Sequence, residues 1–383
     1  MNALPQDKAL QRRVRQLVVL LNGVLKRQMA PATYAALKAL RLGFSALRRE
    51  DDPAARKSLM ARIERLSPEA LSQIIRAYNI YFGLLNLAEE IHQLALRRKA
   101  VRSGRHMWKG SFHDILMAFK EEGVGMADLA PVLAKLRFMP VITAHPSEAK
   151  RRTIKGALRD LFLSLETLED PRVTGMYREE VLAQISNQIQ VLWKTDEVRA
   201  NKLEVRDEIR EGLSYFPQSL FQATVAVYRN FHRALLDTYG AEAGAIETPA
   251  FLRFGSWIGG DRDGHPGVTA EVTALAWRMQ ARTVYREYIQ RVERLSGQLS
   301  YSLRLCQPSS AFLESLARDN AEYAWLFQRW PHRYAQEPYR RKLAIVRQRL
   351  KRNLELVQRA IDGQGMDYES PGYHSAAGFL HDL

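Results

Sequence analysis

Cysteine is nearly absent from this chain: Cys306 is the single one in 383 residues. One thiol excludes an internal disulfide and any cysteine-based zinc cluster, which makes a reducing cytoplasm the natural setting. Long apolar runs are missing too, and none approaches the ~18 residues needed to span a bilayer. Arg12, Arg13 and Arg15 precede the run from Leu17 to Leu21 as they would in an export signal, but Asn22 breaks that run and Lys26-Arg27 follow it. The stretch therefore reads as an amphipathic helix. There is no fixed-period repeat and no low-complexity tract. Acidic residues are the scarcer charge, 42 Asp+Glu against 57 Lys+Arg, and the net +15 favours an anionic partner without choosing among nucleic acid, a membrane surface and a phosphorylated metabolite.

What is present suffices for a large buried core, since 46% of the residues are hydrophobic; the length fits one big domain or two ordinary ones. Up to about residue 130 the pattern is helical. Ser67-Pro68-Glu69 reads as a helix start, with Leu71, Ile74, Ile75, Tyr78, Phe82 and Leu85 expected on one face and the helix continuing through His92. A basic run follows, Arg97, Arg98, Lys99, Arg102, Arg105 and Lys109, with Gly104 and Gly110 marking a link. The period changes at residues 138–143, Phe-Met-Pro-Val-Ile-Thr, which suit a short buried strand. Helical spacing returns from Ser147, and Val181, Ile185, Ile189 and Leu192 mark another long helix. Phe251-Leu252-Arg253-Phe254 is the second strand candidate, followed by a glycine-rich loop and a helix capped by Thr269. The pattern separates a helical N-terminal region, residues 1–135, from residues 136–383, which hold both strands.

Two loops carry the chemistry. Thr143-Ala144-His145-Pro146-Ser147-Glu148, with Lys150, Arg151 and Arg152 behind it, places a histidine where an apolar run stops and cations gather. Gly255-Ser256-Trp257-Ile258-Gly259-Gly260-Asp261-Arg262-Asp263-Gly264-His265-Pro266 has the same form. Each lies between a short strand and a helix start, the unit of an α/β barrel or a parallel sheet, whose ligands bind at the C-terminal ends of the strands. A helix beginning near Ser147 would aim its free amides at the site, and a histidine in such a positive place should be held neutral, suited to accept or donate a proton. In the second loop, Gly259, Gly260 and Gly264 permit tight turns. Asp261 and Asp263 are placed to hold Arg262 in a fork for phosphate or carboxylate, and Trp257 offers a flat wall. The structural reading of each loop is a histidine satisfied by a backbone carbonyl and a turn held by Asp–Arg pairs. A calcium loop does not fit, because glycine comes too early and Val272 stands where glutamate is needed.

Thr143-Ala144-His145-Pro146 with Arg151-Arg152-Thr153, and Gly255-Ser256-Trp257 with Gly259-Gly260-Asp261-Arg262-Asp263-Gly264, resemble the two signatures of the N-terminal part of phosphoenolpyruvate carboxylase. Asn86-Leu87-Ala88-Glu89, Leu192-Trp193, Thr195-Asp196-Glu197-Val198-Arg199 and Glu337-Pro338-Tyr339-Arg340 extend the likeness along the chain. Ser147 replaces the usual threonine, and His265 a frequent asparagine. The resemblance implies a mostly helical, soluble, cytoplasmic enzyme built around an eight-stranded β/α (TIM-type) barrel and generally tetrameric. Such enzymes use magnesium or manganese to join phosphoenolpyruvate and bicarbonate into oxaloacetate and phosphate, replenishing the tricarboxylic acid cycle. By that likeness His145 assists the breakdown of carboxyphosphate, while Arg151, Arg152, Trp257 and Arg262 shape the anion pocket.

The same likeness implies that the family's metal-binding carboxylates, catalytic lysine and phosphate loop have no counterpart here, so no metal ligand is expected in this chain. It is expected to be the front portion of a carboxylase, with an incomplete barrel and no turnover alone. The competing readings are a truncated member acting as a regulatory or scaffolding partner, and the same enzyme class acting on another phosphorylated acid. Nucleic-acid binding is disfavoured because the basic residues are scattered along helices among acidic ones.

Overall fold

The computed structural model describes residues 8–103, 108–143, 151–196, 204–244, 248–365 and 372–383. It is mostly helical, and two short strands are the only ones among these residues. No described helix is long and apolar enough to cross a membrane. Two compact units interleave along the chain: Met1–Gly125, Pro146–Lys202 and Asp237–Gly240 form the first, and Met126–His145, Leu203–Leu236 and Ala241–Leu383 the second.

The first unit is a helical assembly. It contains α1 (Lys8–Gln28), α2 (Pro31–Leu47), α3 (Pro53–Glu64), α4 (Pro68–Arg102) and α5 (Phe112–Glu121), with α7 (Arg152–Leu168) and α8 (Gly175–Lys194) from later in the chain. Proline opens α2, α3 and α4, where its missing amide hydrogen costs nothing, and Ser67 Oγ accepts from the Ala70 amide at 3.2 Å to cap α4. The core joins Leu17, Leu21 and Val24 of α1 to Ile74, Ile80, Leu84 and Leu87 of α4, Leu161 of α7, and Val181, Ile185 and Ile189 of α8. The buried stripe of α4 is rotated from the expected one: Ile75 and Phe82 are 53% and 56% exposed, whereas Ala77, Ile80 and Leu84 are buried. Bulky residues line both faces of this helix, so size alone did not mark the seam that meets α1 and α8.

Arg13 of α1 pins this unit. Its Nε donates to Glu169 Oε1 at 2.6 Å, a second nitrogen pairs with Glu169 Oε2, and the third meets Nδ1 of buried His92 at 2.8 Å. Since a guanidinium has only donors, Nδ1 is the acceptor and the ring proton sits on Nε2.

The second unit holds α6 (Met126–Ala134), β1 (Val141–Ile142), α9 (Val205–Tyr215), a π-helical turn at Phe216–Leu220, and most of α10 (Phe221–Tyr239). Short α11 (Ala241–Gly244), β2 (Gly255–Ser256), α12 (Ala270–Gln298), α13 (Ser310–Glu322), α14 (Pro338–Ile361) and α15 (Ala376–Asp382) complete it. β1 and β2 pair in parallel, Val141 with Gly255 and Ile142 with Ser256, and a bridge joins Phe138 to Leu252. The second strand thus falls later than the expected Phe251–Phe254. Phe251 is drawn into the core against Tyr228 and Phe231, and the ladder is completed by the glycine and serine beyond it. In the first unit, α7 begins at Arg152, with Arg151 as its extended N-cap residue, while the helix start expected near Ser147 lies outside the described residues.

A buried ionic cluster closes the C-terminal side of the second unit. Lys342 Nζ contacts Ser315 Oγ at 2.9 Å, Asp319 Oδ2 and Asp382 Oδ1 at 2.8 Å. Arg349 reaches Asp382 Oδ2 at 2.6 Å and Asp319 Oδ1 at 2.9 Å, while the Tyr373 hydroxyl donates to Asp382 at 2.7 Å. Burial works against the Asp382 carboxylate, but hydrogen bonds from Lys342 and Tyr373 and the charges of Lys342 and Arg349 outweigh it and hold its pKa below the usual range. A depressed folded pKa means that this contribution is present above the unfolded value of about 4 and is lost as pH falls through the folded one. Asp382→Asn is therefore expected to lower unfolding free energy at neutral pH by about 3 kcal/mol, since it leaves Asp319 as the one carboxylate shared by Lys342 and Arg349. It should also flatten the acid-side decline in the urea midpoint below about pH 4. An unchanged midpoint at neutral pH would show that the cluster adds no net stability.

Candidate active site

The parallel ladder fixes the candidate loops. The Phe138 amide donates to Phe251 O at 2.8 Å and Arg253 N to Phe138 O at 2.9 Å; Gly255 N donates to Pro140 O at 3.0 Å and Trp257 N to Ile142 O at 2.9 Å. Because the strands run parallel, the chain leaves both of them, at Thr143 and Trp257, at the same end. Glycine at 255 suits this close approach: a Cβ there would meet Val141 Cγ2 at 3.2 Å.

The loop after β2 is anchored by Ile258, which is buried with Ile209, Val268, Ala276 and Met279. A Cβ on Gly212 of α9 would come within 2.5 Å of Ile258 Cδ1, so a helical glycine makes room for the anchor. Next to it Gly259 has φ +76°, and a Cβ would meet Ile209 Cδ1 at 2.8 Å and Ala276 Cβ at 3.0 Å. Gly264 needs its freedom for the backbone alone, with φ +65° and open space around it; Gly260 meets neither demand. Amides of Gly260 and Asp261 donate to Trp257 O at 2.9 and 3.0 Å, which closes the first turn. The Asp263 amide donates to Asp261 Oδ1 at 3.1 Å and closes the second.

Arg262 is not held in the expected fork. Asp261 is occupied with the backbone of its own turn, and the Arg262 side chain makes no hydrogen bond or ion pair among the described residues. Its exposed guanidinium instead bears on Glu271. That carboxyl sits below its usual range, through the Thr269 hydroxyl first, then the helix amide, and then the Arg262 charge. Trp257 is 57% exposed, an unencumbered aromatic face beside the loop.

The sequence-predicted residues thus fall into three places. Trp257, Gly259, Gly260, Asp261, Arg262, Asp263 and Gly264 share one loop of the second unit. Arg151, exposed, and Arg152 stand at the head of α7 in the first unit. His145 lies outside the described residues. Among the described residues no three His, Cys, Asp or Glu side chains converge as a metal site requires. Gly212, Ile258 and the π-helical turn escaped the sequence reading. A glycine inside Glu211-Gly212-Leu213 was the available signal, because helix interiors disfavour it. Phe216 of the π turn packs edge-on against Phe254, with ring centroids 5.3 Å apart. Together with Ile142, Ser256 and Thr283 it lines a mostly apolar cavity of about 270 Å³.

The family model described as phosphoenolpyruvate carboxylase matches residues 10–383. The chain belongs to the phosphoenolpyruvate carboxylase family. Among proteins bearing that name, the one from Aromatoleum aromaticum is 33% identical over 90% of this chain and 37% of its own length. Another, from Roseiflexus castenholzii, is 33% identical over 100% of this chain and 41% of its own. A third, from Azoarcus sp., is 34% identical over 90% and 37%. The chain spans about two fifths of the length of these relatives.

The packing separates the roles of two glycines in this family loop. Gly259→Ala, which combines a positive φ with overpacking against Ile209 and Ala276, is expected to cost about 3 kcal/mol. Gly264→Ala, which meets only the backbone cost, is expected to lose about 1 kcal/mol. Equal losses in chemical denaturation would show that the Gly259 contact relaxes freely.

Proposed function

We propose that this chain is the N-terminal portion of a phosphoenolpyruvate carboxylase and supplies the catalytic histidine and part of the anion-binding wall. The observation that carries this reading is the shared exit of the chain from β1 and β2: the segment leading to His145 and the loop of Trp257 and Arg262 leave a parallel pair at one end, where barrels and parallel sheets bind their ligands. The ladder itself supports an incomplete barrel. Parallel strands are ordinarily covered on both faces. Here Phe138 and Met139 are each 59% exposed and Val141 is 40% exposed.

In the proposed reaction bicarbonate attacks the phosphorus of phosphoenolpyruvate, giving carboxyphosphate and the enolate of pyruvate. His145 takes part as proton acceptor or donor while carboxyphosphate breaks into carbon dioxide and phosphate, and the enolate then captures carbon dioxide to give oxaloacetate. Arg262, with its donors uncommitted, pairs with phosphate or carboxylate oxygens, Arg151 and Arg152 add positive charge, and Trp257 walls the pocket. The magnesium or manganese ion implied by the family has no fitting donor set among the described residues, so no step is drawn through it. Turnover, the homotetramer and the cytoplasmic setting belong to the whole enzyme in this reading, with the remaining barrel supplied beyond this portion.

His145→Asn in the complete enzyme is expected to reduce oxaloacetate formation by about 10²–10⁴-fold, while phosphate release from phosphoenolpyruvate partly survives. Full carboxylation in that variant would make the histidine structural. Arg262→Lys keeps the charge but loses the planar fork, and should raise KM for phosphoenolpyruvate more than it lowers kcat. The purified 383-residue chain should form no oxaloacetate in a coupled assay, and turnover there would overturn the reading of a portion.

A further inference from the structure

We propose that the first unit carries a separate binding site for a small organic anion, in the cavity between α1, α4, the turn joining α7 to α8, and the start of α8, with Arg12 and Arg178 holding the acidic end of the ligand. The cavity measures about 340 Å³, at the small end of the range for metabolite sites. Its floor is apolar and buried, formed by Leu17, Ala88, Ile91 and Val173. Its rim is cationic.

The charges do not balance within the protein. Three guanidinium groups, Arg12, Arg13 and Arg178, gather around one carboxylate, Glu169. Arg13 is fully committed to Glu169 and His92. The other carboxylate on the rim, Asp170, is taken by Arg172 from outside the cavity, with contacts of 3.0 and 2.6 Å. Two positive charges are left over. Arg178 is anchored by one bond to Leu168 O at 3.3 Å and keeps its remaining donors, while the Arg12 side chain makes no hydrogen bond or ion pair among the described residues. The end of α8 adds to the excess, because Thr174 on the cavity wall is an extended N-cap residue whose side chain bonds no helix amide. A cationic rim over an apolar floor suits a carboxylate or phosphate monoester with a short apolar body. It does not suit an inorganic ion, which would leave the floor unused.

Isothermal titration of the 383-residue chain with benzoate and with phenyl phosphate tests this, and the stronger of the two tells whether the head is a carboxylate or a phosphate. One of them should bind, and benzyl alcohol should not. Arg12→Ala and Arg178→Ala should each weaken binding by about tenfold or more, the loss of one charge-assisted contact. Arg15→Ala, on an exposed arginine of the same helix, and Arg262→Ala should leave it unchanged. Arg178→Lys, which keeps the charge, guards against a misfolded alanine variant and should bind with intermediate affinity. The proposal fails if neither acid binds, if benzyl alcohol binds equally well, or if affinity follows Arg262 rather than Arg12 and Arg178.

Discussion

The pairing of β1 with β2 is the constraint on which the candidate site depends. A few backbone hydrogen bonds join segments more than a hundred residues apart, and they do so in parallel. An antiparallel pair would send the two loops to opposite ends. Parallel pairing sends them to the same end, the end at which barrels and parallel sheets bind their ligands, and the proposed function rests on that. The register is held by side chains rather than by strand length: Phe251 is fixed among Tyr228 and Phe231, and Ile258 is seated over Gly212.

A chain with +15 net charge must also place its cations without paying for naked burial. Two solutions recur. Arg13 and Lys342 go inside only with carboxylates bound directly to them. Arg262, Arg151 and Arg12 stay at exposed positions, where hydration carries the cost and the donors stay available. The first kind builds the helical units. The second kind leaves positive charge at the surface, where it raises the local concentration of anions.

Much of the local structure was legible because it depends on neighbours in sequence. Ser67 and Thr269 cap the helices expected of them, and Val181, Ile185, Ile189 and Leu192 are buried in α8 as their spacing requires. The misreadings are equally local in origin. Ile75 and Phe82 look as apolar as Ile80 and Leu84, and only the neighbouring helices choose between the two stripes. The apolar run of residues 251–254 looked like the strand, but Phe251 packs against Tyr228 and Phe231, the run contributes only the bridge at Leu252, and the paired strand is Gly255-Ser256. Asp261 and Asp263 flank Arg262 in sequence, yet an aspartate two residues before an amide closes a turn at less entropic cost than a long arginine can be held.

The sequence by itself determined the helices, their caps and the family, because 3.6-residue periodicity, short capping side chains and contiguous motifs are properties of adjacent residues. Tertiary structure alone decided which strand residues pair, why glycine is needed at 212 and 259, that Arg262 stays unpaired, and that Arg12, Arg13 and Arg178 converge on Glu169. Each of these is a contact between residues distant in the chain, and its energy depends on distances that no local pattern encodes.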